Sequence, residues 1–160
     1  LISRGQGEYF VTTNNAQTLR FRDEVLRAQG RVGQGVAAMA LGQHAQVVSA
    51  SYLDSELAVS SANFLSLLVL TDTGLAKKVP LGQYPQKGRA TAGVVTTELV
   101  GHDRVLLTMI INEEDLLLLT WSGENGEEVM VVKANEFKAF PRARKGELLV
   151  NGRVLSVVKL

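Results

Sequence analysis

Arginine and lysine recur at a regular spacing along this chain of 160 residues. The pattern R-x-x-x-G occurs three times, at intervals of 58 and 53 residues: Arg31/Gly35, Arg89/Gly93 and Arg142/Gly146. Of the 17 basic residues, 13 lie in the same third of a repeat: Arg20, Arg22, Arg27, Arg31, Lys77, Lys78, Lys87, Arg89, Lys133, Lys138, Arg142, Arg144 and Lys145. If the repeats share one backbone geometry, these cations lie along one edge, where closely spaced positive charges bind phosphates and release counterions.

The same basic residues also have two structural explanations. Each could simply solvate the open face of a strand. An arginine fixed before a glycine could instead hold its repeat together by donating hydrogen bonds to loop carbonyls, and for Arg31, Arg89 and Arg142 this role and a phosphate contact both remain open. The net charge of +1 is small, so the argument for a polyanionic ligand depends on where the cations lie rather than on their number.

The sequence contains no set of residues typical of an active site. The absence of cysteine excludes disulfides, thiolate metal sites and cysteine nucleophiles. His44 and His102 are solitary and occupy equivalent turn positions, so we predict hairpin tips rather than metal ligands. The run Glu113-Glu114-Asp115 could hold a divalent cation, although an acidic turn between strands is the commoner case. We therefore expect no catalytic residue, no metal and no cofactor in this chain.

The elements that position the cations are predicted to be β-strands. Residues 18–22 alternate apolar and basic side chains, which is the two-residue period of a half-buried strand. The turn residues at 72–74 and 125–126 are strong hairpin signals between apolar runs. The predicted strands are residues 9–13, 18–22, 36–41 and 47–52 in the first repeat, 67–70, 75–79, 94–99 and 105–111 in the second, and 116–119, 129–132, 148–150 and 154–158 in the third.

Four strands in a unit of about fifty residues are typical of a propeller blade, whose hydrophobic face must be covered by a neighbouring blade. We predict an all-β, β-pinwheel or propeller-like array of about three four-stranded blades in a single domain, residues 1–160. The blades are expected at about 5–53, 67–111 and 112–160. Residues 54–66 form an insertion, either a surface loop or a short helix capped by Asp54 or Ser55. The longest apolar runs are far shorter than the ~20 residues that span a bilayer, so no membrane partner is expected.

The second repeat resembles a known family. Its run L-V-L-T-D-T-G at 68–74, the pair Lys77-Lys78, the loop Q-Y-P at 83–85 and the run G-R-A-T-A-G-V at 88–94 are similar to the repeat in the C-terminal domain of the DNA gyrase A protein and in its topoisomerase IV counterpart. The first repeat, at 19–36, is similar to another blade of the same array. The third repeat is the faintest match, because it lacks the basic pair, and it is expected to contribute little to DNA binding.

This resemblance implies a DNA-wrapping module of a type IIA topoisomerase. In the family the outer rim of the pinwheel is basic, and duplex DNA bends around it before strand passage. The DNA-binding residues are then expected to be Arg20, Arg22, Arg27, Arg31, Lys77, Lys78, Lys87 and Arg89. The implied partners are double-stranded DNA, the rest of the topoisomerase A subunit and the ATPase B subunit, at the nucleoid in the bacterial cytoplasm. The heptapeptide Q-R-R-G-G-K-G that marks gyrase is absent; because it belongs to the first blade, the choice between gyrase and topoisomerase IV stays open.

Two other functions remain open from the sequence: a docking surface for an acidic protein, and a scaffold that does not bind DNA strongly. The salt dependence of affinity separates the first from DNA wrapping, and the strength of duplex binding separates the second. Three blades form an arc with unpaired edges, so we expect self-association, for example into a six-bladed shape, or mobile terminal strands. Replacing Lys77 and Lys78 by glutamate is expected to weaken DNA binding and to leave the fold intact.

Overall fold

The computed structural model describes residues 5–27, 29–57 and 64–160, and the regular secondary structure of these residues is almost entirely β-strand. The strands are β1 (Gly7–Thr13), β2 (Gln17–Arg22), β3 (Val47–Asp54), β4 (Leu65–Thr71), β5 (Leu75–Pro80), β6 (Val94–Val95), β7 (Val105–Asn112), β8 (Leu116–Gly123), β9 (Gly126–Lys133), β10 (Glu147–Leu148) and β11 (Arg153–Lys159). A 3₁₀ turn follows the second long strand of each repeat: Asp23–Val25, Leu81–Gln83 and Ala134–Glu136. In the described part of the chain no helix is long and apolar enough to cross a membrane.

The strands form three antiparallel sheets, one for each repeat. Sheet 1 has the order β3-β1-β2-β6, sheet 2 has the order β10-β5-β4-β7, and sheet 3 has the order β11-β8-β9. The prediction of an all-β, propeller-like array is thereby confirmed. One correction concerns the fourth strands: β6 and β10 each pair with the sheet of the preceding repeat, and among the described residues sheet 3 has three strands.

The glycine of R-x-x-x-G stands where the added strand meets the preceding sheet. A Cβ at Gly93 would lie 2.6 Å from the carbonyl carbon of Thr18, and one at Gly146 would lie 2.6 Å from the carbonyl oxygen of Ala76. Real Cβ atoms do not approach other atoms this closely, so only glycine fits. The requirement comes from the close approach of two backbones.

The hydrophobic core lies between the sheets. Residues of β4 alternate between two neighbours: Leu67 and Val69 pack in the cluster shared with sheet 1, whereas Leu68 and Leu70 pack in the cluster shared with sheet 3. This explains the uninterrupted apolar run of β4, because both faces of the strand are buried. A third cluster joins the outer face of sheet 1 to the segment that follows it, through Met39.

Two of the predicted strands are much shorter than expected. Residues 36–41 contain only an isolated bridge at Met39, and residues 94–99 contain only the two-residue strand β6. The predicted insertion begins after β3, where residues 55–57 start a helical turn and the Asp54 carboxylate accepts a hydrogen bond from the Glu56 amide at 3.0 Å. The remainder of that prediction falls partly on residues 58–63, which lie outside the described residues.

Candidate nucleic-acid interface

More than half of the cations in the described part of the chain lie on the segment between the second and the last long strand of a repeat, which we call the crossover segment. The three crossover segments comprise residues 23–46, 81–104 and 134–152. The second runs beside β2, where the Lys87 amide donates to the Arg20 carbonyl at 2.9 Å. The third runs beside β5, where the Lys78 amide donates to the Lys138 carbonyl at 3.0 Å. The opposite edge strands, β3 and β7, contact each other instead. The second and third crossover segments therefore occupy equivalent positions, each beside the second long strand of the preceding repeat.

Four of the eight predicted DNA-binding residues are exposed: Arg22, Arg27, Arg31 and Lys87. Arg89 is half-buried. The ammonium group of Lys87 donates a hydrogen bond to the nearby Ala92 carbonyl at 2.9 Å, which orients the side chain without neutralising its charge. These five side chains are the part of the predicted set that a phosphate could reach.

Arg20 serves as a link between sheets 1 and 2. Its guanidinium pairs with the Glu8 carboxylate at 2.6 Å and donates to the carbonyls of Leu81 (3.3 Å) and Tyr84 (3.1 Å). It also lies 5.4 Å from the centre of the Phe10 ring. Because its donors are engaged by a carboxylate and by two carbonyls of the second crossover segment, Arg20 acts primarily in joining the blades.

The placement of Lys77 corrects the expectation that it lies on the outer rim. Its side chain is only 1% exposed. The ammonium group donates hydrogen bonds to the carbonyls of Pro141 (3.0 Å), Arg142 (2.7 Å) and Arg144 in the third crossover segment. Burial, together with the nearby positive charge of Arg142, lowers the pKa of Lys77 to about 8. A lysine held in this way stabilises the third crossover segment and is not accessible to a phosphate.

Lys78 is also internal, with 8% of its surface exposed. Its ammonium group contacts both oxygens of the Glu113 carboxylate, at 2.8 and 2.7 Å. The predicted basic pair therefore contributes to the packing between sheets 2 and 3. The physical reason is that β5 is an inner strand of its sheet, so both of its faces are covered. A charge reversal at Lys77 and Lys78 would place carboxylates against carbonyls and against Glu113, and we expect it to disrupt the fold.

The arginines of the second and third R-x-x-x-G motifs donate equivalent hydrogen bonds to backbone carbonyls. Arg89 donates a hydrogen bond to the Ala37 carbonyl at 3.2 Å, and Arg142 donates one to the Val95 carbonyl. In both cases the acceptor is the residue two positions after the glycine of the preceding R-x-x-x-G. These contacts match the structural alternative that the sequence left open, in which the arginine holds loop carbonyls.

The sequence-based site set omits two exposed cations of the third crossover segment that take part in none of the ion pairs among the described residues. Arg144 and Lys145 are both exposed, and the Arg144 guanidinium lies 5.6 Å from the centre of the Phe140 ring. The signal in the sequence is the run P-R-A-R-K-G at 141–146, in which the cations follow a proline and precede a glycine. The third repeat has no basic pair equivalent to Lys77-Lys78. Because that pair is buried in the second repeat, its absence does not lower the exposed positive charge of the third repeat.

The acidic turn forms ion pairs. Glu113 pairs with Lys78, Glu114 pairs with Lys133 at 2.8 Å, and Asp115 pairs with Lys159 at 2.6 Å. Among the residues that the structure describes, no group of three potential metal ligands occurs. The two histidines are exposed and lie in turns, as the sequence predicts.

Comparison with known proteins adds independent information. Residues 7–54 and 66–112 match the family model described as the DNA gyrase C-terminal domain, beta-propeller. The gyrase A protein of Deinococcus deserti is 31% identical over 160 residues, covering 86% of this chain and 19% of the relative. The gyrase A protein of Staphylococcus aureus is 30% identical over 125 residues, covering 76% of this chain and 13% of the relative. The chain thus spans about a fifth or less of the length of these relatives.

Solved structures share the fold. The C-terminal domain of DNA topoisomerase IV superimposes with a TM-score of 0.85 at 24% identity, covering all of this chain and 48% of that domain. The Escherichia coli ParC C-terminal domain gives a TM-score of 0.76 at 17% identity, covering 99% of this chain and 62% of that domain. Nearly all of this chain therefore corresponds to about half of a larger array of the same kind.

Proposed function

The chain belongs to the DNA gyrase C-terminal β-propeller family, and from that membership we propose that it binds duplex DNA along the edge formed by its crossover segments. The observation that supports this proposal is a set of exposed cations on, or directly before, the crossover segments, which we call the rim cations: Arg22, Arg27, Lys87, Arg144 and Lys145. None of them takes part in the ion pairs formed within the described residues. They are therefore available for phosphates.

The binding is expected to be electrostatic and almost independent of sequence. Contacts from lysine and arginine to phosphates position a duplex without reading its bases. Each neutralised phosphate contributes about −0.9 to the slope of log affinity against log salt, so five rim cations predict a slope of roughly −4.5. Bending a site of 20–30 base pairs costs on the order of 1–6 kcal/mol, so several crossover segments must bind the same duplex for wrapping to occur.

In the longer protein, the proposed role is to hold bent duplex DNA for strand passage by a type IIA topoisomerase. The other partners are then the remainder of the A subunit and an ATPase subunit. The relatives that support this role are gyrase A proteins. A location at the bacterial nucleoid stays a prediction that follows from the same role.

The proposal is tested by removing the charges of two rim cations and comparing the result with a matched control. In the test variant, Arg144→Gln and Lys145→Gln remove two positive charges from the rim. In the control, Arg153→Gln and Lys159→Gln remove two exposed positive charges from β11, which lies outside the crossover segments. Binding of random-sequence duplex DNA is measured by fluorescence anisotropy between 50 and 200 mM salt, a range over which phosphate contacts lose affinity steeply.

The test variant should bind more weakly than the parent, with a salt slope that is smaller in magnitude by about 2. The control should keep the parent's slope. Equal losses in both variants would show that only the net charge matters and would contradict a rim. If the unaltered chain does not bind duplex DNA at 50 mM salt, the scaffold function replaces DNA wrapping.

A further inference from the structure

Two aspartate side chains meet where the turn after β4 packs against the turn before β7. The Arg104 amide lies within hydrogen-bonding distance of both carboxyl groups, at 3.1 Å from Asp72 and 3.0 Å from Asp103. The Thr73 amide donates to the same Asp103 oxygen, Oδ1, at 3.3 Å. Asp103 is only 6% exposed, and among the described residues its other oxygen, Oδ2, has no hydrogen-bond partner. A buried carboxylate oxygen without a donor is costly, because nothing replaces its lost contacts with water.

The two carboxyl groups are also in hydrogen-bonding contact with each other. Two ionised carboxylates cannot form a hydrogen bond, because both are acceptors only, whereas a protonated carboxyl group has an O–H donor. Like charges at such a short distance repel, which raises the pKa of one member of a carboxyl pair. The contact is therefore favourable only when one of the two groups holds a proton.

The first repeat builds the same turn contact without a second carboxyl group. Asn14 stands in the position of Asp72, and its side-chain oxygen accepts a hydrogen bond from the Gln46 amide at 3.0 Å. The residue before Gln46 is Ala45, where the second repeat has Asp103. One neutral side chain is thus enough to form the turn, and the carboxyl pair is an additional feature of the second repeat.

The turn that carries Asp72 is also where the third repeat is attached to the second. The Asp72 carbonyl accepts a hydrogen bond from the Val154 amide of β11 at 3.0 Å, and the Gly74 carbonyl accepts one from the Leu149 amide at 2.9 Å. Arg153, the first residue of β11, places its positive charge near the Asp72 carboxylate. A change in the charge of the carboxyl pair therefore acts at the junction between sheets 2 and 3.

We propose that Asp72 and Asp103 form a proton-binding site that fastens the third repeat to the second. The proton is held on Oδ2 of Asp103, and this O–H group donates to the Asp72 carboxylate, which stays ionised beside Arg153. The Oδ1 atom of Asp103 continues to accept its two backbone amides. Loss of the proton leaves two negative charges side by side next to the start of β11, so the junction weakens as the pH rises.

The electrostatics of the site support this assignment of the proton. Burial and the hydrogen bond to Asp72 raise the pKa of Asp103, against the opposing contacts of two threonine hydroxyls. Burial acts in the same direction on Asp72, but the hydrogen bonds from Asp103 and from the Arg104 amide, with the charge of Arg153, lower the pKa of Asp72. The other ionisable side chains of the turn, which are exposed, are His102 and Arg104. Asp103 is therefore the group that keeps the proton.

NMR of the side-chain carboxyl carbons of the five aspartates tests the site directly. The pH is raised from about 3 to 8 in the presence of a chelator, and one aspartate of the parent should titrate above the ordinary range of about 4. Asp103→Asn should remove this titration, because the amide takes the place of the protonated acid. Asp72→Asn should shift it to lower pH, because the neighbouring charge is gone. The matched control, Asp54→Asn on β3, should leave it unchanged.

Urea unfolding followed by Trp121 fluorescence tests the effect on the junction. Because the pKa of Asp103 is raised in the folded chain, the proton stabilises fully below about pH 4, and this stabilisation is lost as the pH rises through the raised pKa. Between about pH 4.5 and 8, the urea midpoint of the parent should therefore fall relative to that of Asp103→Asn. The lowered pKa of Asp72 acts below this range, and Asp54→Asn should follow the parent.

The proposal is overturned if no aspartate of the parent titrates above the ordinary range, a result that does not require any variant to fold. It is also overturned if the raised titration persists in Asp103→Asn, or if the urea midpoints of the parent and of Asp103→Asn change equally with pH. If added magnesium or calcium shifts both carboxyl resonances in the absence of chelator and no aspartate has a raised titration, the pair binds a metal ion instead of a proton. None of these results depends on whether the chain binds DNA.

Discussion

At the scale of single residues, the least expected feature is a lysine that functions inside the protein. The ammonium group of Lys77 donates to three backbone carbonyls that lie 64 to 67 residues further along the chain. A buried charge is tolerated only when its hydrogen bonds are satisfied, and three carbonyls satisfy the three donors of an ammonium group. The exposed cation Arg144 is the last residue of the segment that Lys77 holds, and the exposed Lys145 follows it directly. Lys77 therefore positions rim cations without being one.

The titration of Lys77 makes this role measurable. Its pKa is about 8 in the folded chain, against 10.5 for an ordinary lysine. Below pH 8 both the folded and the unfolded chain hold the proton. Between pH 8 and 10.5 the unfolded chain binds the proton and the folded chain does not, so the free energy of unfolding rises with pH. From pH 7.5 to 9.5, the parent should gain about 2 kcal/mol relative to Lys77→Met, in urea unfolding experiments. If the free energy of unfolding changes equally with pH in the parent and in Lys77→Met, Lys77 does not titrate in this range.

At the scale of elements, the crossover segments are what makes three separate repeats into one array. The second and the third each carry a short strand into the preceding sheet, so sheets 1 and 2 are complete only because the next repeat is present. The added strands are two residues long, and their position depends on the glycine that lets the two backbones meet. The second and third crossover segments also carry the rim cations Lys87, Arg144 and Lys145, so the positions of these three cations depend on the same glycines.

This dependence predicts different effects for two glycines of one crossover segment. Gly93→Ala would bring a Cβ to within 2.6 Å of the Thr18 backbone, and we expect it to lower the free energy of unfolding by about 1–3 kcal/mol. Gly88→Ala is the control, because a Cβ at Gly88 has open space around it, and its effect should stay within about 0.5 kcal/mol. Both values come from urea unfolding followed by circular dichroism. Equal stability of the two variants would show that β6 does not need the close contact.

At the scale of the whole molecule, the sheets stabilise each other through shared clusters. Sheet 2 contributes alternate residues of β4 to the clusters on its two sides. In an array of this kind, stability depends on the interfaces between neighbouring units as much as on each unit. A substitution that weakens one interface should therefore also lower the stability of a sheet that does not contain the altered residue.

The single tryptophan reports on this coupling. Trp121 lies in β8 of sheet 3, whereas Phe10 is buried between sheets 1 and 2. Phe10→Ala should cost about 3–5 kcal/mol and should lower the urea midpoint of Trp121 fluorescence together with that of circular dichroism. Gln43→Ala, at an exposed position of the first crossover segment, serves as the control. If the fluorescence midpoint of Phe10→Ala stays at the parent value while the circular dichroism midpoint falls, sheet 3 folds independently.

The sequence alone determined the repeat, the class of fold and most of the strands. The alternation of residues 18–22, the apolar run of β4 and the turn signals at 72–74 and 125–126 are local features, and local propensity and period fix strands and hairpins. The family resemblance also came from a continuous stretch, residues 68–94, and the family match includes that stretch.

The tertiary structure alone decided which repeat receives each added strand and which cations reach the surface. Lys77 and Lys87 are both lysines of the second repeat, yet one is buried and the other is exposed. The difference arises because the third crossover segment covers β5, more than 60 residues away in sequence, and leaves Lys87 in solvent. Strands are specified by neighbouring residues, whereas burial is specified by contacts between segments that are distant in the chain.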